Sequence, residues 1–118
     1  MDRPHKKMDV WKVSMALAGS IYRLTARFPS EEKFGLVSQM RRAVVSIPAN
    51  IAEGSARRSS KEFRHFVTIA RASLSELDTH LDLSQQLGFI LEDARAELDQ
   101  TLVRVDKMLH WLYHSKKP

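Results

Sequence analysis

The segment Ala43-Val44-Val45-Ser46-Ile47-Pro48-Ala49-Asn50-Ile51-Ala52 constrains this chain most, because it is apolar or small on every side of a helix. It continues Phe34-Gly35-Leu36-Val37-Ser38-Gln39-Met40-Arg41-Arg42, which has the pattern of an ordinary amphipathic helix. A helix that is apolar all round must be buried all round. With 118 residues the chain can build one small bundle, in which every helix keeps one face in water. The surplus apolar surface therefore needs a partner. The sequence points to an assembling helical protein before it points to any chemistry.

Helical spacing organises the rest into four helices. The first is expected from Met8 to Arg27, with Val10, Ser14, Leu17, Ile21, Leu24 and Phe28 on one face. Phe28-Pro29-Ser30 ends it, since proline disfavours helical geometry in the residue before it. The second begins between Glu31 and Val37 and runs to Ala56, with Leu36, Met40, Val44, Ile47 and Ile51 inward. Pro48 removes the hydrogen bond to the Val44 carbonyl, so a kink is expected there rather than a break. Ser59 to Glu62 forms a capping box that opens the third helix. Its core stripe is Phe63, Phe66, Val67, Ala70, Leu74, Leu77 and Leu81, and Gly88 stands where a C-terminal cap glycine belongs. The fourth runs from Leu91 to His114, with Leu91, Ala94, Leu98, Leu102, Val105, Leu109 and Leu112 inward. Short connections between helices of this length predict an all-α fold, an antiparallel up-and-down four-helix bundle, with residues 1–118 as a single domain. Only the arms Met1 to Lys7 and Ser115 to Pro118 look loose.

Composition agrees and excludes several chemistries. Hydrophobic residues make up 43% and charged residues 28%, a folded globular balance, and only 4 Gly and 4 Pro leave little material for turns. The absence of Cys removes disulfides, thiolate zinc sites and cysteine nucleophiles, and fits a cytoplasmic protein. No apolar run approaches the roughly 20 residues of a membrane span, so no membrane partner is expected. Met1-Asp2-Arg3-Pro4-His5-Lys6-Lys7 has no apolar run after it, which predicts no secretory signal.

Three helices carry apolar residues off the core stripe: Trp11, Met15 and Tyr22 on the first, Val45, Ala49 and Ala52 on the second, and Ile69 and Leu83 on the third. Spread over three helices, they predict a homo-oligomer interface; a wide core stripe within one subunit is the alternative. A polar row, Ser46, Asn50 and Glu53, stands beside a second row of Ser73, Glu76 and His80. If the two rows meet, their groups can satisfy one another and fix packing or oligomer register.

No catalytic, metal or cofactor constellation is complete. Glu62 and His65 have the spacing of one half of a di-iron site, but the second copy and two further carboxylates are missing. His110 and His114 are one helical turn apart, at a helix end where the dipole already favours them. Glu76 and His80, with Glu53, could act as acid and base, but no nucleophile or phosphate loop accompanies them. The cations are better organised. The net charge is +5, and Arg57, Arg58, Lys61, Arg64 and Arg71 gather at the loop and first half of the third helix. Asp78 and Asp82 lie on its second half. This order opposes the helix dipole and would be relieved by a polyanion; a solvated basic face is the alternative. Arg41 and Arg42 extend the set, and Lys6, Lys7, Lys116 and Lys117 add basic arms.

The runs Phe28-Pro29-Ser30-Glu31-Glu32-Lys33-Phe34-Gly35-Leu36, Gln39-Met40-Arg41-Arg42-Ala43 and Ser46-Ile47-Pro48-Ala49-Asn50-Ile51-Ala52-Glu53-Gly54, followed by Lys61-Glu62-Phe63 and Ala70-Arg71-Ala72-Ser73-Leu74-Ser75-Glu76-Leu77, span nearly the whole chain. Together they resemble the four-helix-bundle family named for the 23S ribosomal RNA intervening sequence. Ala72 stands where Gly is commoner in the family. The resemblance implies a small cytosolic bacterial protein without enzymatic activity that assembles as a ring, a pentamer. Relatives include accessory proteins of diversity-generating retroelements, basic barrels that bind nucleic acid and a reverse transcriptase. The resulting expectation is a non-enzymatic homo-oligomer binding RNA or DNA through Arg41, Arg42, Arg57, Arg58, Lys61, Arg64 and Arg71. A scaffold for a reverse transcriptase or another protein is the alternative.

Overall fold

The computed structural model describes residues 1–115. Lys116 and Lys117, expected in a basic arm, lie outside the described residues. A 3-10 turn at Pro4–Lys7 leads into α1 (Asp9–Thr25), and a second at Ser30–Glu32 precedes α2 (Leu36–Ser55). Two longer helices follow, α3 (Ser60–Gln86) and α4 (Glu92–His114). Each helix packs on two others: α1 on α2 and α4, and α3 on α2 and α4. That neighbour pattern is the antiparallel up-and-down four-helix bundle expected from the spacing, 44 × 25 × 20 Å overall.

The core is the inward stripe of each helix. Leu17, Ile21, Met40, Val44, Ile47, Ile51, Phe63, Val67, Leu77, Leu81, Val105 and Leu109 are fully buried. Each such side chain is worth about 1.5–3 kcal/mol relative to exposure. Within the constraining segment, Ala43, Val44, Ile47, Pro48 and Ile51 are buried while Val45 and Ala49 stay exposed. The helix runs through Pro48 without a break, because the stripe on both sides of it is held by the same core.

Two expectations change. Leu91, assigned inward, is 73% exposed. It is the N-cap of α4, and Ile90 fills the core position in its place. The N-terminal arm is not loose: Pro4–Lys7 packs on α1 and α2, and the His5 ring meets the Trp11 ring edge-on at 5.1 Å.

Two glycines are required by geometry. Gly88 has φ +81°. The amides of Phe89 and Gly88 donate to the Ser84 and Gln85 carbonyls at 2.9 and 3.0 Å, the paired bonds of a Schellman cap. Phe89 then packs on Phe28, ring centroids 5.4 Å apart. At Gly54 a Cβ would come within 2.9 Å of Phe66 Cβ, so α2 and α3 approach there only because no side chain intervenes. At the start of α3, Ser59 Oγ accepts from the Glu62 amide at 3.1 Å, the N-cap bond expected for this position.

Candidate nucleic-acid and subunit surfaces

The seven cations assigned to phosphate contacts do not form one patch. Arg57, Arg58, Lys61 and Arg64 gather where α2 ends and α3 begins. Arg41 and Arg42 lie in the first half of α2, roughly 20 Å away at a rise of about 1.5 Å per residue. Arg71 faces α4 instead, its Nε 3.7 Å from Asp106 Oδ1.

Their partners divide them further. Arg41 donates from Nε to Thr25 Oγ1 at 2.9 Å and from NH2 to the Tyr22 carbonyl at 3.2 Å. Those bonds tie α2 to the C-terminal end of α1, where the Tyr22 carbonyl also accepts from the Ala26 amide at 3.1 Å. Arg57 pairs with Glu53 and lies over the Phe66 ring, 4.9 Å from its centroid. Among the described residues, Arg42, Arg58, Lys61 and Arg64 have no carboxylate within 4.0 Å.

Three aspartates gather on one buried cation. Asp78 and Asp82 of α3 both accept from the guanidinium of Arg95, and Asp99 lies 3.5 Å from it. Arg95 is 8% exposed, so this knot ties the start of α4 to the end of α3. The charge order along α3 is therefore answered from α4 at Arg71, Asp78 and Asp82, and left open at Lys61 and Arg64.

The residues assigned to subunit contacts are all at the surface. Met15, Tyr22, Val45, Ala49 and Leu83 are exposed, and Trp11, Ala52 and Ile69 are half-buried. Trp11, Met15 and Tyr22 on α1 and Val45, Ala49 and Ala52 on α2 fall on one side of their helices at 3.6-residue spacing, and Tyr22 and Val45 line one groove. Ile69 and Leu83 lie on α3 instead, in line with Ser73, Glu76 and His80 at helical spacing. The two polar rows meet at one point, where Ser73 Oγ donates to Ser46 Oγ at 2.8 Å, and Asn50 Nδ2 donates to the Ser46 hydroxyl and carbonyl oxygens at 2.9 and 2.8 Å.

The chemical candidates stay apart. Glu76 lines a groove of about 440 Å³ with Gln39, Arg42, Ala43, Ser46 and Ser73, which reaches neither Glu53 nor His80. His80 Nε2 is 3.4 Å from Glu76 Oε1. The His110 and His114 rings lie 4.4 Å apart, both exposed. Among the described residues, no three His, Cys, Asp or Glu side chains gather to hold a metal, and no helix is long and apolar enough to cross a membrane.

The pattern shared by 23S rRNA-intervening sequence proteins matches residues 6–111. The chain belongs to that family. Its fold is similar to the crystal structure of a protein of unknown function from the S23 ribosomal protein family of Bacteroides thetaiotaomicron, with a TM-score of 0.83 at 24% identity, covering 90% of this chain and 96% of that one. Among curated proteins no sequence matches.

Two aromatic residues escaped the periodicity reading. Phe34 is 90% exposed and Trp111 is 66% exposed. Phe34 sits in the turn before α2, where no helical stripe assigns a face. Trp111 lies between Leu109 and Leu112 on α4, and the 3.6 period that turns those two inward turns it sideways. That spacing was the available signal.

Proposed function

We propose that this family member is a non-enzymatic, basic helical bundle that assembles with copies of itself into a ring and binds RNA or DNA. Five copies is the number the family resemblance implies, and a cytoplasmic location goes with it. The observation that carries the proposal is the asymmetry of its charges. Arg95, Arg71 and Arg57 are paired with Asp78, Asp82, Asp99, Asp106 and Glu53, while Arg42, Arg58, Lys61 and Arg64 have no acidic partner among the described residues. A phosphate backbone meets such cations favourably and releases its counterions. The exposed apolar side of α1 and α2 supports self-association.

Binding of labelled RNA and DNA, followed by fluorescence anisotropy as salt rises from about 50 to about 200 mM, tests the nucleic-acid half. Affinity is expected to fall steeply. The double substitution Arg58→Glu with Lys61→Glu is expected to weaken binding and flatten the salt slope by about 2. Salt-independent binding would refute phosphate contact. Light scattering tests the ring: a mass near 13.6 kDa would be that of a monomer and would remove it. A protein that co-purifies with the chain in the absence of nucleic acid would favour the scaffold instead.

A further inference from the structure

Phe34 lies in an internal turn, yet 90% of it meets solvent. Its ring borders a groove of about 610 Å³ shared by Tyr22, Val45 and three cations, Lys33, Arg41 and Arg42, with no carboxylate in the lining. Each aromatic ring carries a cation. Lys33 Nζ is 5.5 Å from the Phe34 centroid, and the Arg41 guanidinium carbon is 4.5 Å from that of Tyr22. Arg41 has its donors fixed on α1 and forms part of the wall. Lys33 and Arg42 are exposed, and among the described residues neither has a carboxylate within 4.0 Å.

We propose that this groove holds single-stranded nucleic acid, with an unpaired base stacked on Phe34 and the flanking phosphates against Lys33 and Arg42. The inference rests on the nucleic-acid reading above and adds the strand form and the site. An unpaired base offers a flat apolar face, and the phosphates beside it are anionic; an exposed aromatic ring beside Lys33 and Arg42 matches both. A duplex hides its base faces in the stack and cannot use Phe34. The α2–α3 end differs in kind: its nearby ring, Phe66, is half-buried beneath Arg57, so its cations suit phosphates of either form. A partner chosen for apolar contact alone would gain nothing from the cations that line the groove. A second copy of this chain is the competing occupant, because Tyr22 and Val45 belong to the expected subunit face.

The test uses the full chain, a labelled single-stranded oligonucleotide and its duplex, with mass followed by light scattering. Phe34→Ala is expected to weaken single-strand binding by roughly 5- to 100-fold and to leave duplex binding and mass unchanged. Phe34→Trp is expected to keep single-strand affinity, with its fluorescence quenched on binding. Equal single-strand affinity in Phe34→Ala would overturn the inference while leaving the nucleic-acid reading intact. A smaller assembly in Phe34→Ala would also overturn it, and would give the groove to a neighbouring copy. If the unaltered protein binds neither strand form, both readings fall together.

Discussion

The α2–α3 seam and the α1–α4 seam close the same core from opposite sides and are built from different residues. Across α2 and α3 small residues on α2 admit the partner helix: Gly54 lies against Phe63 and Phe66, and Ser46 meets Ser73. The backbones come close enough that a methyl at Gly54 would strike Phe66, and Ser46 and Ser73 bond directly across the seam. Across α1 and α4 two grooves open along the surface, and one of about 440 Å³ opens where Gln39 and Ser46 of α2 face Ser73 and Glu76 of α3. On the α1–α4 side, one groove of about 500 Å³ runs between Met8, Val10, Met108 and Trp111, and another of about 280 Å³ between Ser20, Leu24, Ala94 and Leu98. Close approach requires side chains that keep out of the way, and the reward is dispersion contact where the helices touch.

The most damaging way to challenge that contrast is to put bulk into the tight seam. Gly54→Val is expected to destabilise by about 2–3 kcal/mol, from overpacking against the root of a side chain that cannot swing aside. Urea denaturation would show the loss as a lower midpoint at similar slope; an unchanged midpoint would mean that the helices separate freely. The intermediate case is the α3–α4 seam, held by charge rather than by closeness. Arg95→Met is expected to cost about 1–3 kcal/mol, less than a fully buried pair would, because the three aspartates it leaves behind reach water. Part of that loss should return at high salt, as repulsion among the carboxylates is screened.

Gly19→Ala makes a sharper control than any loss. Gly19 lies on α1, and its new methyl would meet only the movable end of Arg23, at 3.2 Å. The change is expected to stabilise by about 0.5–1 kcal/mol through helix propensity. The same substitution at Gly54 is expected to have the opposite sign. Equal signs at the two glycines in a thermal or urea series would mean that close packing does not restrict Gly54. The smallest expected effect is Trp111→Ala on the rim of the loose seam, within about 0.5 kcal/mol for the isolated fold. A larger loss would show that Trp111 is buried by an additional contact in solution.

Much of this was legible in the residues. The core stripes of α1, α2 and α3 followed from spacing, as did the Ser59 cap and the Gly88 cap, because each depends on positions a turn or two apart; whether the two polar rows meet stayed open until Ser46 and Ser73 were seen to bond across helices. The candidate site was less legible. The cations read as one group from Arg41 to Arg71, yet Arg41 is bound to α1, Arg57 to Glu53 and Arg71 to Asp106. Those partners sit on other helices or depend on rotamers, and linear spacing is silent about both. Leu91 was misplaced for a related reason: at a helix start, the turn geometry rather than the period decides whether residue 90 or 91 points inward.

By itself the sequence determined four helices, the face each one buries, and the family, since helical periodicity and local motifs are properties of neighbouring residues. It also determined that the segment around Val45 and Ala49 carries more apolar surface than one small bundle can cover. Only the tertiary structure decided which cations remain available, which acids are occupied by Arg95, and that Phe34 is left in solvent beside Lys33 and Arg42. Those outcomes depend on the register between helices, and register is settled by packing across the core, where residues far apart in the chain first meet.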